Sequence, residues 1–125
     1  ANLRIELKVL PQYRNVADNI AFHWKKLGVE TQITPVDGIP SPYQAFLGEL
    51  PVLKDPDQYP IWHTGQSSNI TNYRNLRIDK LLEDGRRITD KNERKQIYAD
   101  FQKYLLDDMP AISLYFPYTY TVERK

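Results

Sequence analysis

The stretch LRIELKVLPQYRNVADNIAFHWKKLGVETQITP, residues 3–35, decides the fold of this chain. In its first seven residues apolar and polar side chains alternate, which predicts a β-strand with one apolar face. Apolar residues then recur at helical spacing from Val16 to Leu27, and Gly28 stands where a left-handed C-terminal cap is expected. Residues 29–35 alternate again and predict a second strand. Because a strand, helix, strand order favours a right-handed crossover with parallel pairing, this stretch predicts a βαβ unit.

The middle of the chain is predicted to be irregular. Six of the nine prolines fall between residues 35 and 60, which excludes a long helix and leaves room for one short strand within residues 43–50. From Asp57 to Asn75 polar and aromatic residues follow without periodicity, which predicts a long exposed loop. Long loops on a rigid scaffold often carry function, so this loop is the first place to look for a site.

Two helices and a strand are predicted after the loop. One helix is expected over residues 78–88, and a second follows Asp90, which has capping-box spacing to Glu93, and continues to Asp108. Residues 109–122 contain no charged side chain and alternate in part, which predicts a buried strand that joins the sheet. The predicted fold class is therefore α/β (α+β), with a mixed β-sheet and packed helices.

Composition limits the classes of function. At 125 residues, with 41% hydrophobic and 26% charged side chains, the chain is predicted to be a single domain over residues 1–125. Its 17 basic and 16 acidic residues create no field that attracts nucleic acid. No apolar run approaches the roughly 20 residues that span a bilayer, so direct membrane insertion is not predicted. The chain has no cysteine, which excludes thiolate chemistry.

The residues offer little for catalysis or metal binding. His23 and His63 are the two histidines, and their spacing does not place two zinc ligands on one helical turn. His63 lies near Thr64, Ser67 and Ser68, but neighbours in an extended loop rarely face one another as a triad requires. We therefore predict no enzyme, no cofactor and no metal, and keep a hydrolase only as a third hypothesis. An imidazole beside an aromatic ring, amides and hydroxyls is better suited to a ligand-binding wall.

An ordered series of short motifs carries a family resemblance. The motifs are Asp55-Pro56-Asp57, Asn72-Tyr73-Arg74-Asn75, Ile78-Asp79-Lys80-Leu81-Leu82-Glu83 and Asp108-Met109-Pro110-Ala111-Ile112. In this order they resemble the C-terminal lobe of family 5 extracellular solute-binding proteins, the peptide, dipeptide and nickel receptors of ABC importers. The likeness covers nearly the whole chain, and no single motif is specific.

The resemblance implies a role. In that family two lobes close over an extended peptide or other solute, and the loaded receptor docks on a membrane permease. It implies that this chain is one lobe, with a periplasmic-binding-protein-like fold, from a longer protein. It also implies an extracytoplasmic location, either periplasmic or lipid-anchored at the cell surface, and a peptide or other small solute as partner. One lobe alone is expected to bind weakly, because the pocket needs both walls.

The chain departs from the family pattern at two places before the loop. Peptide-binding members usually carry an acidic residue about three positions before the Asp-Pro pair, where it holds the amino terminus of the ligand. Val52 occupies that position here, and Glu49 is predicted to replace it if the loop is rearranged. The connection from Pro35 to Tyr43 is also shorter than the usual one, which contains a helix.

The predicted ligand-binding residues share polar or aromatic side chains in the long loop or just before it. They are Glu49, Asp55, Tyr59, Trp62, His63, Gln66, Asn69 and Tyr73. The indole and phenol rings are predicted to pack against the solute, and the imidazole and amides to hydrogen-bond it. For Asp55 a simple turn before the loop is an equal alternative. The alternative function is a protein-interaction module that uses the exposed aromatic loop.

Overall fold

The computed structural model describes residues 3–124. They form two compact units that divide between Val52 and Leu53. The first unit contains β1 (Leu3–Val9), a 3-10 turn (Pro11–Tyr13), α1 (Arg14–Lys26), β2 (Val29–Pro35) and β3 (Ala45–Leu47). The second contains α2 (Tyr59–Trp62), α3 (Leu76–Arg87) and α4 (Lys91–Asp108). The predicted α/β fold class is confirmed, whereas one domain over the whole chain stays a prediction.

The sheet of the first unit has the order β2-β1-β3, and β1 pairs in parallel with both neighbours. The predicted βαβ unit is confirmed, with Leu3 opposite Val29 and Val9 opposite Pro35. The apolar face of β1 is fully buried only at its C-terminal end, where Leu7 and Val9 lie in the core with Ala17 of α1. The third strand therefore reinforces the half of β1 that carries the core.

Helix α1 ends as its sequence predicts. Gly28 has a φ of +81°, in the left-handed region that a residue without Cβ enters at low cost. Its N–H donates to the carbonyl of Lys25 over 3.0 Å, which satisfies one of the last carbonyls of the helix. The chain thereby turns directly into β2.

Helices α3 and α4 form the centre of the second unit. Each begins at a side-chain cap: Asn75 accepts from the N–H groups of Arg77 and Ile78, and Asp90 from those of Asn92 and Glu93. The predicted cap at Asp90 is confirmed, and α3 begins two residues before the predicted start because Asn75 caps it. The apolar residues of the core are Ile61, Trp62, Ile78, Leu82, Tyr98 and Phe101.

Gly85 lies in the last turn of α3, inside the helix, where glycine lowers helix stability. The structure gives the reason, because a Cβ at this position would lie 3.0 Å from the hydroxyl oxygen of Tyr98 on α4. The Gly85 carbonyl also accepts a 2.9 Å hydrogen bond from Nε of Arg94. The missing side chain allows α4 to approach α3 closely at this point.

The prediction of a long exposed loop over residues 57–75 is wrong at its start. Residues Tyr59–Trp62 form the single helical turn α2, and the side chains of Ile61 and Trp62 are buried. One turn is too short to show a helical period in the sequence. Burial of these two side chains in the core with α3 and α4 stabilises the turn, as tertiary packing does for short helices.

The prediction of a buried strand over residues 109–122 is wrong. The chain leaves α4 at Met109, which has a φ of +46°, and has no regular secondary structure from there to Arg124. Its apolar side chains are exposed, Ile112 by 73% and Val122 by 93%. A strand needs a partner for its backbone N–H and C=O groups, and the second unit, as far as it is described, contains no strand.

Candidate functional site

Seven of the eight predicted site residues lie in the second unit. Glu49 lies in the first, where its exposed carboxylate accepts a hydrogen bond from the hydroxyl of Tyr13. The first unit also has an open cavity of about 490 Å³ between α1, β1 and β2, lined by Arg4, Phe22, Lys25 and five other residues. None of the predicted site residues lines this cavity.

Trp62 is a core residue. Only 7% of it is exposed, and it packs with Ile78 and Leu82 of α3. Its ring meets that of Tyr73 edge to face, with centroids 6.3 Å apart and planes at 87°. Most of the indole surface is therefore used inside the unit.

Tyr59 lies between two flat groups. The His63 ring is stacked on it with centroids 4.1 Å apart and planes at 25°, and the guanidinium carbon of Arg86 is 3.9 Å from its centroid. Two planar groups this close to one ring centre cannot share a face without overlapping, so they cover opposite faces. Tyr59 can offer a solute only its edge and its hydroxyl.

Two ion pairs join the start of the loop to the helices. Asp57 accepts two hydrogen bonds from Arg86, at 3.0 Å from Nε and 2.8 Å from Nη2. Asp55 accepts from Nη2 of Arg94 and from the N–H of Asp57, both at 2.9 Å. The hydrogen bond from Arg94 lowers the pKa of Asp55, and the one from Arg86 lowers the pKa of Asp57.

Arg86 and Arg94 are not among the predicted site residues. The signal that could have identified them is the pair of aspartates around Pro56, which presents two carboxylates to a neighbouring helix. Asp55 forms the turn predicted as one of its two alternatives, since its own carboxylate accepts the Asp57 N–H. Most of its side chain, 63%, remains exposed.

Asn69 organises the loop from within. Its amide nitrogen lies 3.4 Å, 3.1 Å and 2.9 Å from the carbonyl oxygens of Trp62, His63 and Tyr73. Its amide oxygen accepts from the hydroxyl of Thr71 at 3.0 Å and from the Tyr73 N–H at 3.3 Å. The Asn69 side chain thus links the two ends of the segment from residue 62 to residue 73 by hydrogen bonds.

Asp79 was quoted in a motif but was not predicted as a site residue. Only 8% of it is exposed. Among the described residues, Asp79 is the polar or charged residue that is buried. Its Oδ1 accepts the Thr64 N–H at 2.8 Å, which anchors the loop on α3. A buried carboxylate without such a donor would be costly, so the hydrogen bond explains its position.

Gln66 differs from the other loop residues. It is half-buried, and its side-chain amide makes no hydrogen bond to any residue between 3 and 124.

Both nitrogens of the His63 ring are within hydrogen-bond distance of an oxygen. One lies 3.0 Å from the Thr64 carbonyl oxygen and the other 3.3 Å from Oε1 of Glu83. Neither nitrogen is directed at a hydroxyl, so the loop does not form the nucleophile and base pair of a hydrolase. No group of three or more metal-ligating side chains occurs among the described residues.

Tyr73 ends the loop at α4. Its hydroxyl donates to Oδ2 of Asp108 at 2.5 Å, and Nδ2 of Asn75 donates to the same oxygen at 2.8 Å. Burial, followed by the hydrogen bond to Asp108, raises the pKa of Tyr73 to about 12. The hydrogen bond from Tyr73 in turn lowers the pKa of Asp108.

We expect this hydroxyl to make stability pH-dependent at the alkaline end. A tyrosine in the unfolded chain ionises near pH ~10, whereas folded Tyr73 keeps its proton, so its contribution is present below pH ~10 and is lost as pH rises through about 12. Tyr73→Phe should remove the last step of the tyrosinate absorbance titration. Tyr118→Phe, at an exposed position, is the control and should leave that last step in place. A last step that persists in the Tyr73 variant would contradict the assignment.

The chain is similar to known proteins in both sequence and fold. No protein-family model matches it. Its fold and its sequence are nevertheless similar to those of the solute-binding proteins of ABC importers, and the predicted resemblance is confirmed. None of the helices within residues 3–124 is both long and apolar enough to cross a bilayer.

One such relative is the oligopeptide-binding protein AppA of Bacillus subtilis, to which the chain is 30% identical over 105 residues. That alignment covers 74% of this chain and 19% of AppA, so the chain spans about a fifth of the curated relative it matches. The structure of AppA in complex with a nonapeptide matches with a TM-score of 0.77 and 24% identity, over 86% of this chain and 24% of that one. NikA of Staphylococcus aureus in complex with Ni(L-His)2 matches with a TM-score of 0.79 and 23% identity, over 87% and 26%.

Proposed function

We propose that this chain is a substrate-binding lobe of an extracellular solute-binding protein of an ABC importer, and that its solute is a peptide or related small molecule. The observation that carries the proposal is the 30% identity to an oligopeptide-binding protein over 105 residues. We place the lobe in the C-terminal part of a longer, non-enzymatic receptor outside the cytoplasm, periplasmic or lipid-anchored. Its macromolecular partner is the membrane permease of the importer.

The proposed solute wall belongs to the loop of the second unit. Gln66 supplies an amide without an internal partner, and Tyr59 supplies a ring edge and a hydroxyl. Trp62 and Asn69 do not contact the solute in this proposal, because their side chains make contacts within the unit. They fix the conformation of the loop that forms the wall. Such a wall is preorganised, which lowers the entropic cost of binding.

Two exposed carboxylates are candidates to hold the amino group of a peptide. Glu49 in the first unit is exposed, and so is most of the Asp55 side chain in the second. A carboxylate and an ammonium group form the strong, charge-assisted type of hydrogen bond. Each of the two residues is a separate proposal for this contact.

The test is a calorimetric and thermal-shift screen of the 125-residue chain and of the longer receptor that contains it, against short peptides, sugars and nickel-histidine. We expect a peptide at 100 times its Kd to stabilise the longer protein by about 2.7 kcal/mol and the chain alone by much less. Stabilisation by sugars alone would overturn the peptide proposal. Tight binding by the chain alone would show that its site is complete without a second lobe.

A matched pair of variants tests the wall in the same screen. Gln66→Ala should weaken peptide binding by about 0.5–1.5 kcal/mol, the usual net value of one hydrogen bond. Ser67→Ala, at the exposed neighbouring position, should leave affinity unchanged. Equal affinities of both variants would remove Gln66 from the wall and leave the proposed function in place.

The alternative, a protein-interaction module built on the aromatic loop, has less support. Interaction hot spots use tryptophan and tyrosine rings that become buried only on binding. Trp62 is already 93% buried by its own unit, since 7% of it is exposed, and both faces of Tyr59 are covered. The loop therefore lacks the free aromatic anchor that this alternative requires.

A further inference from the structure

The chain contains two Asp-Gly pairs, Asp37-Gly38 and Asp84-Gly85. In such a pair the backbone nitrogen of the glycine can attack the carboxyl group of the preceding aspartate, because glycine has no Cβ to obstruct the nitrogen and its backbone rotates freely. The first pair lies in the connection between β2 and β3, and the second lies inside α3. The same chemical groups are therefore present in two different backbone settings of one chain.

The first pair is exposed and unrestrained. Asp37 and Gly38 belong to no helix or strand, and both are exposed. Within residues 3–124, the Asp37 side chain makes no hydrogen bond or ion pair, and the Gly38 N–H donates to no carbonyl. A Cβ at Gly38 would meet no atom within 4 Å. No contact in the described part of the chain keeps the carboxyl group away from the nitrogen.

The second pair is restrained by its helix. In an α-helix each N–H donates to the carbonyl four residues earlier, which for Gly85 is the carbonyl of Leu81. Gly85 is buried, and the Asp84 carboxylate accepts a 2.7 Å hydrogen bond from Nζ of Lys80. The Gly85 nitrogen could reach the carboxyl group only after the last turn of α3 had opened. The folded helix therefore prevents the attack.

We propose that Asp37-Gly38 is a site of spontaneous backbone isomerisation in the folded protein, and that α3 protects Asp84-Gly85 from the same reaction. The Gly38 nitrogen bonds to Cγ of Asp37, and the carboxyl hydroxyl leaves with the amide proton as water. The product is a five-membered succinimide ring. Water then adds to one of its two carbonyls. Cleavage of the bond from nitrogen to Cγ restores aspartate, whereas cleavage of the bond from nitrogen to the main-chain carbonyl carbon gives isoaspartate.

The reaction changes the connection between β2 and β3. In isoaspartate the main chain runs through Cβ and Cγ, so the connection becomes one carbon longer and the free carboxylate is attached to Cα. The residues of β3 that pair with β1, Ala45–Leu47, lie beyond the connection, so the product should leave the sheet intact. The inference concerns the chain's own chemistry and does not rest on the proposed function.

The first test is mass spectrometry of the 125-residue chain after several weeks in mildly acidic buffer, which supplies the protonated carboxyl group from which water can leave. Trypsin cleaves after lysine and arginine and releases the two pairs in separate peptides, residues 27–54 and 81–86. We expect the first peptide alone to accumulate a succinimide, lighter by one water, and an isomer of unchanged mass but different retention.

A sample stored in urea is the control for the role of the fold, and there both peptides should accumulate the products. Equal accumulation in both peptides of the folded chain would show that α3 gives no protection. Accumulation at Asp37 in urea but not in the folded chain would show that the connection is not free to react. Either result would overturn the proposal.

The second test compares Gly38→Ala with Ile39→Ala, an exposed neighbouring position. The Cβ of the first variant has open space around it, so circular dichroism should show an unchanged fold. It should slow the isomerisation on the order of tenfold, which corresponds to about 1.4 kcal/mol in the barrier. The second variant should react at the rate of the unchanged chain. Equal rates in the two variants would contradict attack by the Gly38 nitrogen.

Discussion

Replacing Trp62 with alanine is expected to destabilise the second unit by about 3–5 kcal/mol, the usual cost of removing a buried tryptophan or phenylalanine ring. The ring is 7% exposed and packs in one cluster with Ile78, Leu82 and Phe101. Its removal leaves a cavity that two packed helices cannot fill without moving. Urea unfolding followed by circular dichroism measures the effect, because most residues of this unit's regular structure are helical.

Tyr118→Ala is the control for this experiment, since Tyr118 lies in the same unit and is 87% exposed. It should change the free energy of unfolding by less than about 0.5 kcal/mol. A Trp62 variant as stable as the control would show that the indole ring is not part of the core. The result also affects how binding data are interpreted. A loss of affinity in the Trp62 variant would arise from unfolding of the loop and would not show a direct contact between the indole ring and the solute.

Replacing Asn69 with alanine is expected to cost about 2 kcal/mol and to open the segment from residue 62 to residue 73. The variant loses an amide that serves three carbonyls and accepts from Tyr73 and Thr71, and each net hydrogen bond is worth about 1 kcal/mol. Water will replace part of this loss because the segment is half-buried. Amide hydrogen exchange should show the loss first at Tyr73, whose N–H donates to the Asn69 side chain.

Two further variants separate the causes. Asn69→Asp keeps the shape and the acceptor but removes the N–H donors, so it should destabilise at least as much as alanine. Ser68→Ala, at the exposed neighbouring position, should have no measurable effect. Unchanged protection of the Tyr73 amide in the alanine variant would contradict the organising role of Asn69.

The location of the candidate site could be predicted from the sequence, but the roles of its residues could be predicted only in part. Sequence reasoning identified the loop and its polar and aromatic side chains, because their composition is visible without coordinates. It did not show that the Asn69 amide would be used by backbone groups of the loop. It also missed Arg86, Arg94 and Asp79, whose partners lie 29, 39 and 15 residues away. Such contacts depend on how the helices pack, and no local pattern records them.

The sequence by itself determined the elements whose stability is local. Alternation defined β1 and β2, helical spacing with Gly28 defined α1, and Asp90 marked the start of α4, because a strand face, a helix face and a cap each depend on residues a few positions apart. Only the tertiary structure decided whether an apolar segment is buried. Ile61 and Trp62 are buried because they pack against α3 and α4. Residues 109–122 have the composition of a strand, but the described residues of their unit include no strand to pair with. The physical reason is that burial and β-pairing require a second surface, and the sequence of one segment does not contain it.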